Sequence, residues 1–289
     1  MNAFKYSFNT LCYLDEDVVT SIARIADCGY DAIELAGETE RYDIDVVHRE
    51  CARHGIVVSS ICSLFNEQRD FSHANPERRM TALNYVKEMV DFAAAVEAPT
   101  VIVAPTALMR TTLSSTIKKE RDWALQGLYE AGKYAERREI QLTIEPWNRY
   151  ETYWLHRLEQ AVELVEELQM ESVGVMGDTF HMNIEEEDVA GAILLAGARL
   201  NHLHVADSAR LAPGTGHLDL EPVMEALVEI GYQGFVTFEL IPNVSEPFEW
   251  LRAGHGGEFK DPYTRQSIEH MIGIEGRLAL DPSSAAGVS

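Results

Sequence analysis

Val173 to Glu186 reads Val-Gly-Val-Met-Gly-Asp-Thr-Phe-His-Met-Asn-Ile-Glu-Glu, a short apolar run that breaks at Gly177 and places Asp178 and His181 three residues apart. A carboxylate and an imidazole at the end of a buried strand cost free energy unless each has a partner. A bound metal or a polar substrate supplies one. Asp is also a common turn and cap residue, so this pair alone fits a capped strand-to-loop turn equally well. Recurrence shifts the balance. Other short runs rich in Val and Ile end in Glu34, Glu145, His204 and Glu239, although charged residues are depleted at buried positions. Glu145, Asp178, His204 and Glu239, brought together, would repel one another without a cation. They make a mixed oxygen and nitrogen site suited to Mn2+, Mg2+ or Co2+. Cys12, Cys28, Cys51 and Cys62 form no C-x-x-C pair, which excludes a thiolate-rich zinc site and reads as reduced, mostly buried thiols. His202 and His204 lie two apart in one run and face the same side. His204, nearer the loop, is assigned to the metal, and His202 to packing behind it.

Eight strand-like runs must position these groups: Lys5–Cys12, Ala32–Leu35, Val57–Ile61, Thr100–Val103, Gln141–Glu145, Val173–Met176, Leu200–Val205 and Phe235–Glu239. Their composition is that of strands covered on both faces. Amphipathic stretches alternate with them. Asp17 to Ala26 carries Val18, Ile22 and Ile25 on one face. Asn75 caps and Pro76 opens a helix with Met80, Leu83, Val86, Val90 and Ala94 at intervals of three or four. Ser115–Arg138, Arg157–Leu168, Glu187–Ala196, Leu220–Ile230 and a last helix around Thr264–Ile274 complete the set. Gly29, Gly55 and Gly231 fall where helices stop, a position that often needs φ > 0. Strict alternation, eight times, predicts a single (β/α)8 barrel over residues 1–276, with 277–289 a loose polar tail. The absence of a G-x-G-x-x-G turn disfavours an open dinucleotide-binding sheet. In a barrel, catalytic groups sit at the carboxyl ends of strands, and the four candidate ligands fall on neighbouring strands five to eight.

The chain has 289 residues, 24 basic and 47 acidic, for a net charge of −23. Such a surface repels phosphate backbones and anionic membranes, so neither nucleic acid nor membrane is an expected partner. No apolar run reaches the ~18 residues that span a bilayer, and the N-terminus lacks a signal-peptide layout. The expected location is cytoplasmic.

Ile144-Glu-Pro-Trp-Asn-Arg-Tyr-Glu151, Gly177-Asp-Thr-Phe-His-Met-Asn-Ile-Glu-Glu186, His202-Leu-His-Val-Ala-Asp-Ser-Ala-Arg210 with Pro-Gly-Thr-Gly-His-Leu-Asp219, and Phe238-Glu-Leu240 resemble the D-tagatose/D-allulose (psicose) 3-epimerases, xylose-isomerase-like barrels. The likeness covers nearly the whole chain and is sharpest from Gln141 to Leu240. It implies a divalent metal, commonly Mn2+, on Glu145, Asp178, His204 and Glu239. Glu145 and Glu239 double as the acid/base pair, and Glu151, His181 and Arg210 bind ketose oxygens near the carbonyl. The implied reaction is deprotonation and reprotonation beside a ketone through a metal-stabilised enediolate. A homo-oligomer, dimer or tetramer, is expected.

The chain departs from the family's first-strand Tyr-x-Tyr-Trp, reading Tyr6-Ser-Phe-Asn-Thr-Leu-Cys-Tyr13. Pro146-Trp147 replaces a small aliphatic pair, and strand three ends Ser59-Ser-Ile-Cys-Ser63. The resemblance places these positions at the far end of the sugar, so a sugar or keto-glycoside other than free tagatose or allulose is an expected substrate. The runner-up reading is the barrel subunit of a C-glycoside deglycosylase, a lyase of 3-keto glycosides in a hetero-oligomer. An endonuclease IV-like hydrolase would need more histidine ligands and a basic groove. A sugar-binding barrel without activity is opposed by the intact acid/base pair.

Overall fold

The computed structural model describes residues 4–280. Eight parallel strands close into one barrel in sequence order: β1 (Lys5–Asn9), β2 (Ala32–Ala36), β3 (Val57–Cys62), β4 (Thr100–Val103), β5 (Gln141–Ile144), β6 (Val173–Asp178), β7 (Leu200–Val205) and β8 (Phe235–Phe238). β8 pairs back onto β1, with Phe8 opposite Phe238. All eight expected strands form, and local chemistry moves their ends. β1 stops at Asn9 because the Asn9 side chain accepts from Leu11 N at 2.8 Å and starts a 3-10 turn over Thr10–Tyr13. β6 does not break at Gly177. It runs on to Asp178, with Gly177 opposite Leu203 and Asp178 opposite His204. The glycine there leaves room for neighbouring side chains rather than making a turn. A Cβ would sit 2.8 Å from Met182 Sδ and 3.1 Å from Leu203 Cδ1.

The helices begin and end largely as their caps dictate. Asp17 accepts from Thr20 N and Asn75 from Glu77 N. Gly29, Gly55 and Gly231 take φ of +90°, +70° and +65°. The long charged helix is Ile117–Glu136, capped by Thr116. Ser115 stays outside it, giving its backbone N–H to Glu120. The segment after β6 holds two helices, Thr179–Glu185 and Val189–Ala196, because Asp188 caps the second through Gly191 N. The last helix, Asp261–Leu280, is longer than its pattern indicated and takes in Arg277 to Leu280 of the expected tail. Residues 281–289 lie outside the described residues. Among the described residues no helix is long and apolar enough to cross a membrane.

The main core fills the layer between strands and helices. A second apolar cluster joins Leu11, Leu14, Ala36, Cys62, Ile102, Met176 and Leu251. Leu251 belongs to a short helix, Pro247–Arg252, within residues 242–262. Arg252 is tied to Glu38 at 2.5 Å and Lys260 to Asp15 at 2.7 Å. These contacts lay the segment against the loops after β1 and β2. The barrel interior is unlike the usual Val, Ile and Leu layers: Asn9, Glu34, Ser60, His202 and His204 are all fully buried within it.

Candidate active site

Each candidate ligand arrives on the end of its own strand. Glu145 follows β5, Asp178 ends β6, His204 is the penultimate residue of β7 and Glu239 follows β8. All four are buried. Strand alternation aims them inward, since residues two apart along a strand share a face. Asp178, His204 and Glu239 bring one ligand atom each to within 4.8 Å of one another, and Glu145, Asp178 and His181 do the same. The two groupings share Asp178. A third grouping, Glu34 with His202 and His204, shares His204. Asp178 also caps the following helix, Oδ1 accepting from Phe180 N at 2.8 Å, while Oδ2 faces His181 Nε2 at 3.5 Å. The cap and the site use different oxygens of one carboxylate.

Arg210 enters from the loop after β7. Its Nη2 donates to Glu239 Oε2 at 2.6 Å and lies 3.5 Å from Asp178 Oδ2; Nη1 lies 3.6 Å from Glu151 Oε1. Its backbone is left-handed, φ +59°. That conformation, costing about 1–3 kcal/mol for a non-glycine residue, is clamped. Arg210 N donates to Asp207 O at 2.8 Å and Ile241 N donates to Arg210 O at 2.9 Å. Asn148 orders the other polar residues. Its Nδ2 donates to Glu151 Oε1 at 2.9 Å and to His181 Nδ1 at 2.8 Å. An amide NH2 only donates, so Nδ1 of His181 accepts and the ring proton sits on Nε2. That N–H lies 3.9 Å from Glu145 Oε1 and has no hydrogen-bond partner. It is a buried donor aimed into the site.

Negative charge is in excess here. Burial pushes the Glu145 carboxyl up to about 8, and the neighbouring Glu239 and Asp178 carboxylates add to it. Burial also pushes Asp178 up to about 6, against the pull of Arg210. Burial acts upward on Glu239 too, but Arg210 and His204 outweigh it and hold that carboxyl well below the usual range. For His204 the downward push of burial is overcome by Glu34 and Glu239, so the ring is raised. Burial, then the charge of Arg210, keep His181 neutral. A divalent cation fits this arrangement. The donors are carboxylate oxygens and an imidazole nitrogen, and both ring nitrogens of His204 are buried without a hydrogen-bond partner, Nδ1 lying 3.7 Å from Glu239 Oε2 and Nε2 2.9 Å from Glu34 Oε1.

The structure therefore brings together all seven residues singled out for the site. Sequence reasoning gave no role to Asn148, and left Glu34 as an unassigned strand end. The signal for Glu34 was its strand-end position. For Asn148 it was only its place between Glu145 and Glu151.

A closed parallel barrel with buried His, Asp and Glu clusters able to hold a divalent metal is the frame of this site. The chain belongs to the xylose isomerase-like TIM barrel family, whose model matches residues 22–255. It is 28% identical over 267 residues to the D-psicose 3-epimerase of Ruminiclostridium cellulolyticum, covering 90% of this chain and 89% of that one. It is 27% identical over 254 residues to the 3-dehydro-D-guloside 4-epimerase of Escherichia coli, covering 83% of this chain and 96% of that one. A solved L-ribulose 3-epimerase superposes with a TM-score of 0.86 at 21% identity, over 99% of this chain and 98% of that one, which speaks for the fold. The buried His, Asp and Glu clusters are consistent with metal-dependent ketose 3-epimerase chemistry.

Proposed function

We propose that this chain is a divalent-metal-dependent epimerase of ketoses or keto-sugars, of the 3-epimerase type, with Mn2+ as the preferred ion and Co2+ or Mg2+ as substitutes. Glu145, Asp178, His204 and Glu239 hold the ion. The observation that carries the reading is the meeting of Asp178, His204 and Glu239 within 4.8 Å, with Glu145 joined through Asp178. Bound there, the ion supplies Lewis-acid stabilisation of the negative charge that develops on substrate oxygen. Glu145 and Glu239 stand on different strands and act from opposite sides of the carbon beside the carbonyl. One removes its proton and the other returns one, inverting it; each oriented group contributes roughly 10²–10⁴ in rate. His181 Nε2–H and Arg210 donate to substrate oxygens, and Glu151 accepts from a hydroxyl. The surrounding burial excludes bulk water, which strengthens these interactions.

A second reading is favoured by the Escherichia coli relative, whose name specifies a keto-glycoside and which aligns over 96% of its length. Trp147 follows the candidate ligand Glu145 by two residues and is buried in the core, and Phe248 and Trp250 pack against the second apolar cluster. Solvent-deuterium exchange into a panel of ketoses and 3-keto glycosides separates the two. Exchange and C3 inversion of D-allulose or D-tagatose supports the ketose reading. Exchange confined to keto-glycosides supports the second, and cleavage to a free aglycone identifies a lyase. EDTA treatment is expected to abolish exchange, with Mn2+ or Co2+ restoring it. Full exchange in verified metal-free protein would exclude the metal-dependent mechanism.

A further inference from the structure

Glu34 is fully buried inside the barrel, beneath the proposed cation site. Four groups meet its two oxygens. Oε1 accepts from Asn9 Nδ2 at 2.7 Å and contacts His204 Nε2 at 2.9 Å. Oε2 accepts from Ser60 Oγ at 2.6 Å and His202 Nε2 at 2.9 Å. The orientation of Asn9 is fixed, because its Oδ1 accepts from Leu11 N. A carboxylate accepts and does not donate, so the proton of His202 lies on Nε2. Oε2 faces two donors and Oε1 one, with His204 Nε2 beside Oε1 but without a hydrogen-bond partner in this structure. The grouping Glu34–His202–His204 has the composition of a metal site, but three hydrogen bonds already hold its carboxylate. Its chemistry is that of a clamp.

We infer that Glu34 is a positioning residue for the cation site: it takes the Nε2–H of His204, fixes that tautomer and ring orientation, and so turns the Nδ1 lone pair toward the ion held by Asp178 and Glu239. The inference rests on the metal-dependent reading above. In the other tautomer an Nδ1–H would point at the ion and the ligand would be lost. Ligating histidines commonly hand their second N–H to a carboxylate, which orients the ring and raises its basicity. Here that carboxylate is itself held by Asn9, Ser60 and His202. Asn9 Nδ2 also reaches Glu239 Oε1 at 3.3 Å, so one amide ties the clamp to a second ligand. The polar barrel interior, otherwise a costly departure from an apolar core, has this task.

The test uses the full chain, stripped of metal and titrated calorimetrically with Mn2+. Wild type is expected to bind one ion per chain. Glu34→Gln, nearly isosteric, is expected to keep its near-ultraviolet circular dichroism and bind Mn2+ about 10–100-fold more weakly. Ser60→Ala is expected to move affinity in the same direction by less. Histidine nitrogen NMR on Mg2+-loaded wild type gives a readout that needs no variant at residue 34: the ring proton of His204, assigned with His204→Asn, is expected on Nε2. Wild-type protein that binds no Mn2+ would remove the metal-dependent reading and this inference together. One-to-one binding by wild type with Glu34→Gln within about threefold, or a His204 proton on Nδ1, would overturn the positioning role alone. Two ions per wild-type chain would also overturn it, making the clamp a second metal site.

Discussion

Glu239 is met by three different donors, Arg210 Nη2 at 2.6 Å, Asn9 Nδ2 at 3.3 Å and Cys62 Sγ at 3.6 Å, and its Oε2 lies 3.7 Å from His204 Nδ1. No other residue of the site joins the guanidinium, the interior clamp and the apolar cluster at once. On the proposed reading its charge is both a ligand to the ion and the counter-charge that pairs with Arg210. Glu239→Gln keeps the shape and removes the charge. Turnover is expected to fall by about 10²–10⁴, while Mn2+ still binds, more weakly, through the remaining ligands. Steady-state exchange rates and calorimetry on the same sample check this. Activity within a few-fold of wild type would exclude Glu239 from the acid/base pair.

The loop from Ala206 to Leu220 shows how an element carries function without regular structure. Read as a sequence, Pro213 to Asp219 fits a plain turn. In the fold it wraps around the Asp207 carboxylate, which accepts from Ser208 N at 2.7 Å, Gly214 N at 2.8 Å and Leu218 N at 3.1 Å. Gly216 leaves the space: a Cβ there would lie 2.2 Å from Asp207 Oδ1. Asp207 is also the residue whose carbonyl clamps the strained backbone of Arg210. Burial raises the Asp207 carboxyl, but these backbone N–H groups outweigh it and hold it below the ordinary Asp value. A depressed carboxylate contributes stability that is present above its unfolded pKa and is lost as pH falls through the folded value. Wild-type Tm is therefore expected to drop below about pH 4. Asp207→Asn is expected to flatten that part of the profile and to cost about 1–3 kcal/mol near neutrality. Thermal melts across the acid range measure both. An unchanged profile in the variant would remove Asp207 as the organiser of this loop.

At the scale of the molecule, the last helix closes the barrel where β8 meets β1. Tyr30 Oη donates to Thr264 O at 2.7 Å, Tyr6 Oη donates to Glu275 Oε1 at 2.6 Å, and Arg277 pairs with Glu221 at 2.8 Å. Beneath it Phe8 stacks on Tyr13 at 5.3 Å and meets Tyr30 edge-on at 5.6 Å. Ile268, Met271 and Ile274 are buried in the same core. Each such side chain stabilises by about 1.5–3 kcal/mol, against a net stability of about 5–15 kcal/mol for a whole domain. A chain ending at Lys260 is expected to lose fixed tertiary structure and to aggregate. Near-ultraviolet circular dichroism of the soluble fraction tests this, and a cooperative melt with native-like signal would refute it. The net charge of −23 acts at the same scale, repelling phosphate backbones and weighing against the endonuclease-like reading.

What the linear chain determined was the number and kind of elements and the residues at their ends. Periodicity, caps and helix-stopping glycines are local, and Asp17, Asn75 and Gly55 act within a few residues of themselves. Glu145, Asp178, His204 and Glu239 were legible because a barrel places every strand end on one face, so identity and position implied convergence. The tertiary structure alone decided which atoms meet. That Glu34 grips two histidines about 170 positions away, that Asn148 sets the tautomer of His181, and that Leu251 joins Ile102 and Met176 depends on curvature, bulges and loop paths. The register shifts between Ile33 and Glu34 and between Val175 and Met176. A one-residue slip reverses which face a side chain takes, and no local pattern records on which side of such a slip a carboxylate falls.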